Sequence, residues 1–377
     1  MMLGSRPRPL RFAALAMACA CACGSDTPAS PDSCGDRCPA PHGLVWRCEE
    51  RFAYGVNWAW GNWGGDFGGV SAWGSPGVAS ARDRFSADMR AMKDAGVSVI
   101  RWWMFPRFLT ESITWGADGA PSGIAGSLDA DVEEALAVAE ENDVYLMLTL
   151  FSFDSFGPTQ EEGSITSRGI QPMVIDAALR RKLIDNLVVP VARAVERSPH
   201  KQRMIAWDMV NEPEWAMTGP DLYGGEPYEP QSRLQPVTHQ QMETFLKETA
   251  AALRGSSGAL ITIGGAAIKW ARAWSHVDVD FYQFHYYDWV HQWYPYATVT
   301  LAAAGVTDKP VVMGEFPIQG VSEIGGQPAR SAAQLSADLW AAGYAGSLAW
   351  AFNDSAFPWS PGMVERFAAE RPCETRF

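Results

Sequence analysis

The sequence predicts a single (β/α)8 barrel of the α/β class, on three observations. Short apolar runs, each followed by a loop and an amphipathic stretch, alternate along most of the chain. Eight such runs fall within about 330 residues, which suits one closed parallel barrel. The glycine-rich stretch from Gly61 to Gly69 lacks the G-x-G-x-x-G order that seats a dinucleotide in an open, doubly wound sheet, and no G-x-x-x-x-G-K-S/T loop occurs.

The predicted strands are Phe52–Trp58, Val97–Trp103, Val144–Phe151, Met204–Val210, Leu260–Ile263, Phe281–His285, Val311–Glu315 and Ser347–Phe352. Between them, Phe85, Met89 and Met92 recur at helical spacing, and Gly96 supplies a stop. Val132, Ala135, Leu136 and Ala139 mark the next helix, and Leu179, Leu183, Ile184 and Leu187 the third, which Pro190 ends or kinks. Thr238 with Gln241 reads as a capping box ahead of Met242, Phe245, Leu246 and Leu253. Leu335, Leu339 and Trp340 precede a stop at Gly343, and helices after the fifth, sixth and eighth strands are weaker in the pattern.

Residues 1–23 read as an export signal. Arg6, Arg8 and Arg11 precede an apolar run from Phe12 to Cys23, too short to span a bilayer but suited to secretion. The run ends in Ala-Cys-Ala-Cys-Ala-Cys and so resembles a bacterial lipoprotein signal, with Cys23 as the expected lipidation site and Cys19 and Cys21 in the same setting. Cleavage at an Ala-x-Ala site without lipid is the plain alternative. Residues 24–45, rich in Pro, Ser, Asp and Gly, read as a flexible linker, and 46–377 as the barrel domain. The expected location is the bacterial cell envelope or the exterior, with membrane contact only through the lipid.

In an oxidising compartment Cys34, Cys38, Cys48 and Cys373 are expected to form disulfides. Cys34 and Cys38 are close enough for a small loop, and a bridge between Cys48 and Cys373 would tie the domain's ends together. No histidine lies at finger spacing from these cysteines, so zinc is not expected. The net charge of −13, with no basic run, argues against nucleic acid as a partner. Seventeen tryptophans in a chain that is only 19% charged suggest surfaces that stack on flat, uncharged faces such as sugar rings.

Barrel chemistry sits at the C-terminal ends of the strands. The fourth strand ends in Trp207-Asp208-Met209-Val210-Asn211-Glu212-Pro213 and the seventh in Val312-Met313-Gly314-Glu315-Phe316. These strands face each other across a barrel mouth, so two carboxyls can flank one bond. Glycosidic cleavage needs that pairing: one carboxyl protonated to donate to the leaving oxygen, the other ionised to attack or to activate water. Each also raises the cost of ionising the other, which helps keep one protonated. A single glutamate at a strand end more often caps a helix or pairs with an arginine. Two on opposing strands, one inside Asn-Glu-Pro, favour catalysis.

The chain resembles the clan A glycoside hydrolases, most closely family 5, over most of residues 52–360. The resemblance rests on Gly55-Val56-Asn57-Trp58, Ile100-Arg101-Trp102, Asn211-Glu212-Pro213, His285-Tyr286-Tyr287, Gly314-Glu315-Phe316 and Trp350, in order at successive strand ends. It implies a TIM barrel and a retaining mechanism, with Glu212 as general acid/base and Glu315 as nucleophile. It also implies that Asn211 binds the sugar 2-hydroxyl, that Tyr287 and Arg101 steady Glu315, that His285 lines the same subsite and that Trp350 floors the sugar ring. Trp58 is a further substrate-binding candidate, and Trp215 and Trp289 lie near strand-end motifs. Each has a plainer reading: Arg101 as an ion pair in the barrel layer, His285 and Trp350 as packing. Where many family members carry a histidine, at the end of the third strand, this chain has Thr149-Leu150-Phe151-Ser152-Phe153-Asp154.

The expected activity is cleavage of a β-linked polysaccharide, endo on a β-1,4-mannan or glucan, with exo action as the in-class alternative. No cofactor or metal is expected, and a monomer is. Two other classes compete: a carbohydrate-binding surface lipoprotein that has lost turnover, and a metal-dependent barrel hydrolase. The latter needs clustered His and Asp at strand ends, where only His285 of six histidines lies.

Overall fold

The computed structural model describes residues 38–377. Eight parallel strands close into one barrel. They are β1 (Ala53–Asn57), β2 (Val99–Trp103), β3 (Tyr145–Ser152), β4 (Met204–Asn211), β5 (Leu260–Gly265), β6 (Tyr282–His285), β7 (Val311–Glu315) and β8 (Gly346–Trp350). All but the first residues of β3 and β5 are buried, as expected of strands covered on both faces. The predicted fold class is borne out, and each strand lies within a few residues of its expected place.

The helices follow their apolar stripes. In α1 (Arg82–Asp94), Phe85, Met89 and Met92 are buried, and Gly96 takes the left-handed conformation (φ 88°) that closes the turn. Next comes α2 (Leu128–Glu141). The third helical segment runs as α3 (Ala177–Leu183) and α4 (Val189–Arg197), joined by a π turn at Ile184–Val188. Pro190 therefore does not end the segment, because the widened turn ahead of it absorbs the ring and the missing N–H. Helix α5 (His239–Arg254) opens with the predicted Thr238/Gln241 capping box. After β5 the chain makes only the 3-10 turn Ile268–Trp270, and after β6 only the six-residue α6 (Asp288–Trp293). Helices α7 (Ala332–Ala341) and α8 (Gly362–Glu370) complete the ring.

The expected linker ends earlier than 45. Ala40 is buried, and Leu44–Trp46 pairs with Glu49–Arg51 in an antiparallel hairpin. This hairpin and the C-terminus floor the barrel. Leu44 packs with Ala53, Met147, Phe281 and Val312, with Trp46 and Phe377 against them. Phe377 also meets Tyr145 at 5.4 Å between ring centres. The disulfide expectation needs correction: Cys38, not Cys48, bridges to Cys373, across 335 residues of sequence. Cys48 is disulfide-bonded as well. Both ends are thus tied as anticipated, through a different cysteine. Cys34, the signal segment 1–23 and its Cys23 lie outside the described residues, as does most of the linker.

At the opposite end, loops after β2, β3 and β4 carry small ladders that wall the mouth. Ile113–Trp115 pairs with Pro121–Ile124, Gln160–Glu162 with Ile165–Ser167, and Met217–Thr218 with Val237–Thr238. Strand register brings the chemistry-bearing residues to one level: Trp350 opposite Asn57, Asn57 opposite Arg101, and His285 opposite Glu315.

Candidate active site

Arg101 organises the mouth. Its guanidinium is wholly buried, and its planar fork reaches four acceptors from three other strands. Nε and Nη2 meet Asp208 Oδ2 at 2.8 and 2.6 Å, Nη1 donates to Glu315 Oε1 (2.7 Å) and Asn57 Oδ1 (2.8 Å), and Nη2 donates to Asn211 Oδ1 (2.8 Å). Burial alone would depress the Arg101 pKa, but the Asp208 and Glu315 charges outweigh it and hold the group above its ordinary value. Gly264 on β5 makes room for this hub: a Cβ there would stand 2.7 Å from Arg101 Nη2 and 3.1 Å from Asp208 Oδ2.

Glu315 ends β7 with its side chain 5% exposed. Besides Arg101, it accepts from the Tyr287 hydroxyl at Oε2 (2.7 Å), and His285 Nδ1 stands 3.5 Å from the same oxygen. Burial pushes the carboxyl up from its ordinary value, while His285, Arg101 and the Tyr287 hydroxyl pull against it and the Glu212 charge pushes with it. Tyr287 stays protonated, because burial and the Glu315 charge hold its pKa well above the ordinary value. The carboxylate keeps an ion-pair partner and a neutral donor, as a nucleophile requires.

Glu212 sits just past β4 in the left-handed region (φ 48°, ψ 52°). Pro213 disfavours the right-handed helical conformation at the residue before it, and a register shift between Asp208 and Asn211 against β5 re-aims the strand end. The Glu212 N–H is held by Gly264 O at 2.6 Å. Its side chain is 14% exposed, more open to the cleft than Glu315. Trp215 Nε1 donates to Oε2 (2.9 Å), and His285 Nδ1 meets Oε1 at 2.7 Å. Burial pushes this carboxyl up to about 7, against the Trp215 hydrogen bond and the Arg101 charge. Burial likewise pushes His285 down to about 4, against the Glu315 charge, so the imidazole is neutral at neutral pH. One ligand atom each from Glu212, His285 and Glu315 lies within 4.8 Å of the others. One oxygen of each carboxyl thus lies within 4.8 Å of the other, nearer than the roughly 6.5–9.5 Å separation of an inverting pair.

Arg101, Asn211, Tyr287 and Glu315 therefore share one hydrogen-bonded network, and the Glu212–His285 pair adjoins it where His285 Nδ1 stands 3.5 Å from Glu315 Oε2. Because Asn211 Oδ1 accepts from Arg101, its Nδ2 is the end left to donate to a ligand. Trp350 packs beside them with Trp103, Trp60 and Tyr287, and its Nε1 donates to Asp354 (2.9 Å). Trp215 and Trp289 meet at 5.9 Å on the Glu212 side. Trp58 is the exception: it is 1% exposed, stacked on Trp102 at 4.7 Å and tilted against Phe85 at 5.4 Å, so it is core and not a substrate contact. Its position one residue past the inward-facing Asn57 turns the ring outward to α1.

Asp208 was missed. It carries the Arg101 fork together with Thr149 Oγ1 (3.1 Å) and the Gly264 N–H (2.8 Å). Glu214 was also missed; burial pushes it up to about 7, yet it is a brace, accepting from Ala266 N (3.0 Å) and Trp274 Nε1 (2.9 Å). Where a histidine was looked for after β3, Asp154 stands close enough to push Glu212 up further.

The protonation states set a pH profile. Below about 7 Glu212 is protonated and above it ionised; with Glu212 as acid and an ionised Glu315 as nucleophile, rate would fall both above that point and on acidification. A bell-shaped kcat/KM with its alkaline limb near 7 is expected. A rate still climbing at about pH 8 would refute the assignment of Glu212 as the acid.

No protein-family model matches the chain. It is 25% identical over 347 residues to a mannan endo-1,4-beta-mannosidase of Cryptopygus antarcticus, covering 81% of each chain. To the protein of the same name from Mytilus edulis it is 22% identical over 333 residues, covering 80% of this chain and 84% of that one. Among solved structures, the beta-mannanase of the blue mussel Mytilus edulis superposes with a TM-score of 0.69 at 20% identity, over 88% of this chain and 96% of that one. An endo-1,4-beta-mannanase from Eisenia fetida gives 0.66 at 20% identity, over 90% and 94%. The likeness to clan A glycoside hydrolases read from strand-end motifs agrees with these relatives.

Proposed function

We propose that the chain is a retaining endo-β-1,4-mannanase. The carrying observation is the pair Glu212 and Glu315, close together but unlike in their surroundings: one raised to about 7 in a cleft, the other ion-paired to a buried arginine. Glu315 attacks the anomeric carbon while Glu212 protonates the departing oxygen. Glu212, now ionised, then takes a proton from the water that releases the glycosyl group. Tyr287 and Arg101 receive the returning charge on Glu315, and Asn211 Nδ2 is placed to bind the sugar beside the bond. The mannan preference is supported by the names of the relatives, and the long loops around the mouth suit a polymer entering mid-chain.

The test is hydrolysis of β-1,4-mannan followed by NMR. Internal cleavage to a ladder of oligosaccharides, with β-anomers appearing first, is expected. α-Anomers first, or release of single mannoses from one end, would overturn retention or endo action respectively. Dialysis against EDTA is expected to leave the rate unchanged. Loss restored by a divalent cation would instead favour the metal-dependent reading, for which Glu212, His285 and Glu315 are the available ligands.

Export with a lipid on Cys23 is part of the same reading, supported by the arginines and the apolar run ahead of it. Radiolabelled palmitate incorporated by the full chain and lost in Cys23→Ser tests it; equal labelling of both, or none of either, refutes it.

A further inference from the structure

The mouth holds a second cleft that the chemistry above does not use. Loops after β1, β2 and β3 frame a volume of about 540 Å³ lined by Trp63, Trp73, Arg107, Gln160, Glu162 and Ile165, among others. We propose that it binds a hexose unit of the glycan on the side that becomes attached to Glu315, at least two units beyond the one attacked. This rests on the glycosidase reading and extends it to chain length.

A line of rings joins the two sites. Trp350 lies 6.3 Å from Trp60, and Trp60 lies 4.2 Å from Trp63, edge to face in each case. Trp350 packs in the same cluster as Tyr287, which donates to Glu315, whereas Trp215 donates to Glu212. The sugar bonded to Glu315 therefore lies at the start of this line, and the leaving group lies toward Trp215. Trp63 stands two ring-to-ring steps out along it.

The pocket's composition suits a neutral sugar, which has an apolar face and a polar rim. Trp63 is backed by the buried Val70, Leu109 and Ile165. Trp73, on the turn Ser71–Trp73, lines the pocket and is 41% exposed, so its ring is open to a ligand there. Arg107 spends one N–H on Gln160 Oε1 (3.0 Å), leaving others to donate, while Glu162 offers acceptors to hydroxyl pairs. The platform is fixed before any ligand arrives. Asp66 accepts from Gly61 N (2.6 Å), Asn62 N (2.6 Å) and Trp102 Nε1 (2.8 Å), pinning the segment between Trp60 and Trp63 to β2. Preorganisation of this kind lowers the entropic cost of binding.

The experiment compares wild type and Trp73→Ala on β-1,4-mannooligosaccharides of three and six units. Loss of about tenfold in kcat/KM on the hexaose, with the triose unchanged, is expected from one stacked ring. Equal loss on both would make Trp73 a structural brace, and no loss on either would leave the pocket without a sugar; both overturn the proposal. Calorimetry of mannohexaose and cellohexaose on Glu315→Gln, with and without Trp73→Ala, reads the pocket without turnover. Weaker hexaose binding in the double variant supports it, and equal binding refutes it. If wild type cleaves no mannan, the functional reading falls while the calorimetry still decides the pocket.

Discussion

Replacing Glu315 with Gln is expected to lower mannan turnover by at least about 10⁴-fold while leaving oligosaccharide binding within about threefold. The amide keeps the shape of the carboxylate: its oxygen still accepts from Arg101, and its NH₂ faces a Tyr287 hydroxyl able to turn and accept. What it lacks is a nucleophile. Replacing Glu212 with Ala is a milder lesion, about 10²–10⁴-fold on mannan and less on aryl glycosides whose leaving groups need no proton. Steady-state kinetics on both substrates, with calorimetry for binding, separates the two roles. If Glu315→Gln turned over at wild-type rate, the nucleophile would have to be sought elsewhere.

Arg101→Met is the second large effect, and it falls on stability and rate together. It strands Asp208 and Glu315 without their cation and removes the donors that orient Asn57 and Asn211. Breaking a buried pair by removing one member costs about 3–5 kcal/mol, since the remaining charge stays buried. Denaturant unfolding should show that loss. With the cation gone, the Glu315 pKa rises further, so its ionised fraction at a given pH falls and the acid limb of kcat/KM moves to higher pH. Arg101→Lys keeps a charge but not the planar fork, and should recover part of the stability with little of the rate. An acid limb that stayed in place in Arg101→Met would refute electrostatic control of the nucleophile.

The barrel was legible because its strands are buried on both faces and so read as apolar runs, and because the helices after the first four strands and the seventh carry an apolar stripe. Glu212 and Glu315 were legible as candidates because chemistry in this fold gathers where those runs stop, and the structure brings the two together there. Arg101 was legible only as a choice between an ion pair and a catalytic support, and the structure shows it ion-paired to Asp208 and to Glu315, the proposed nucleophile. Asp208 could not be assigned from sequence: a carboxylate inside a strand shows no sign of the guanidinium that will meet it across the barrel. Trp58 misled for a related reason. Asn57 and Trp58 are adjacent, and alternation along the strand sends one to the mouth and the other to the helical layer, a parity that the motif does not state. The cysteine pairing depended on how the chain's two ends meet at the floor, information that spacing along the chain does not contain.

The hairpin, the C-terminal Phe377 and the Cys38–Cys373 bridge all lie at the floor of the barrel, and the carboxyls lie at its mouth. An attachment made at the Cys38 end of the described fold would hold the protein by its base. Held that way against any surface, the molecule turns its cutting edge outward, toward fibres approaching from the far side. A polymer too stiff to bend beneath the protein would still find the groove open.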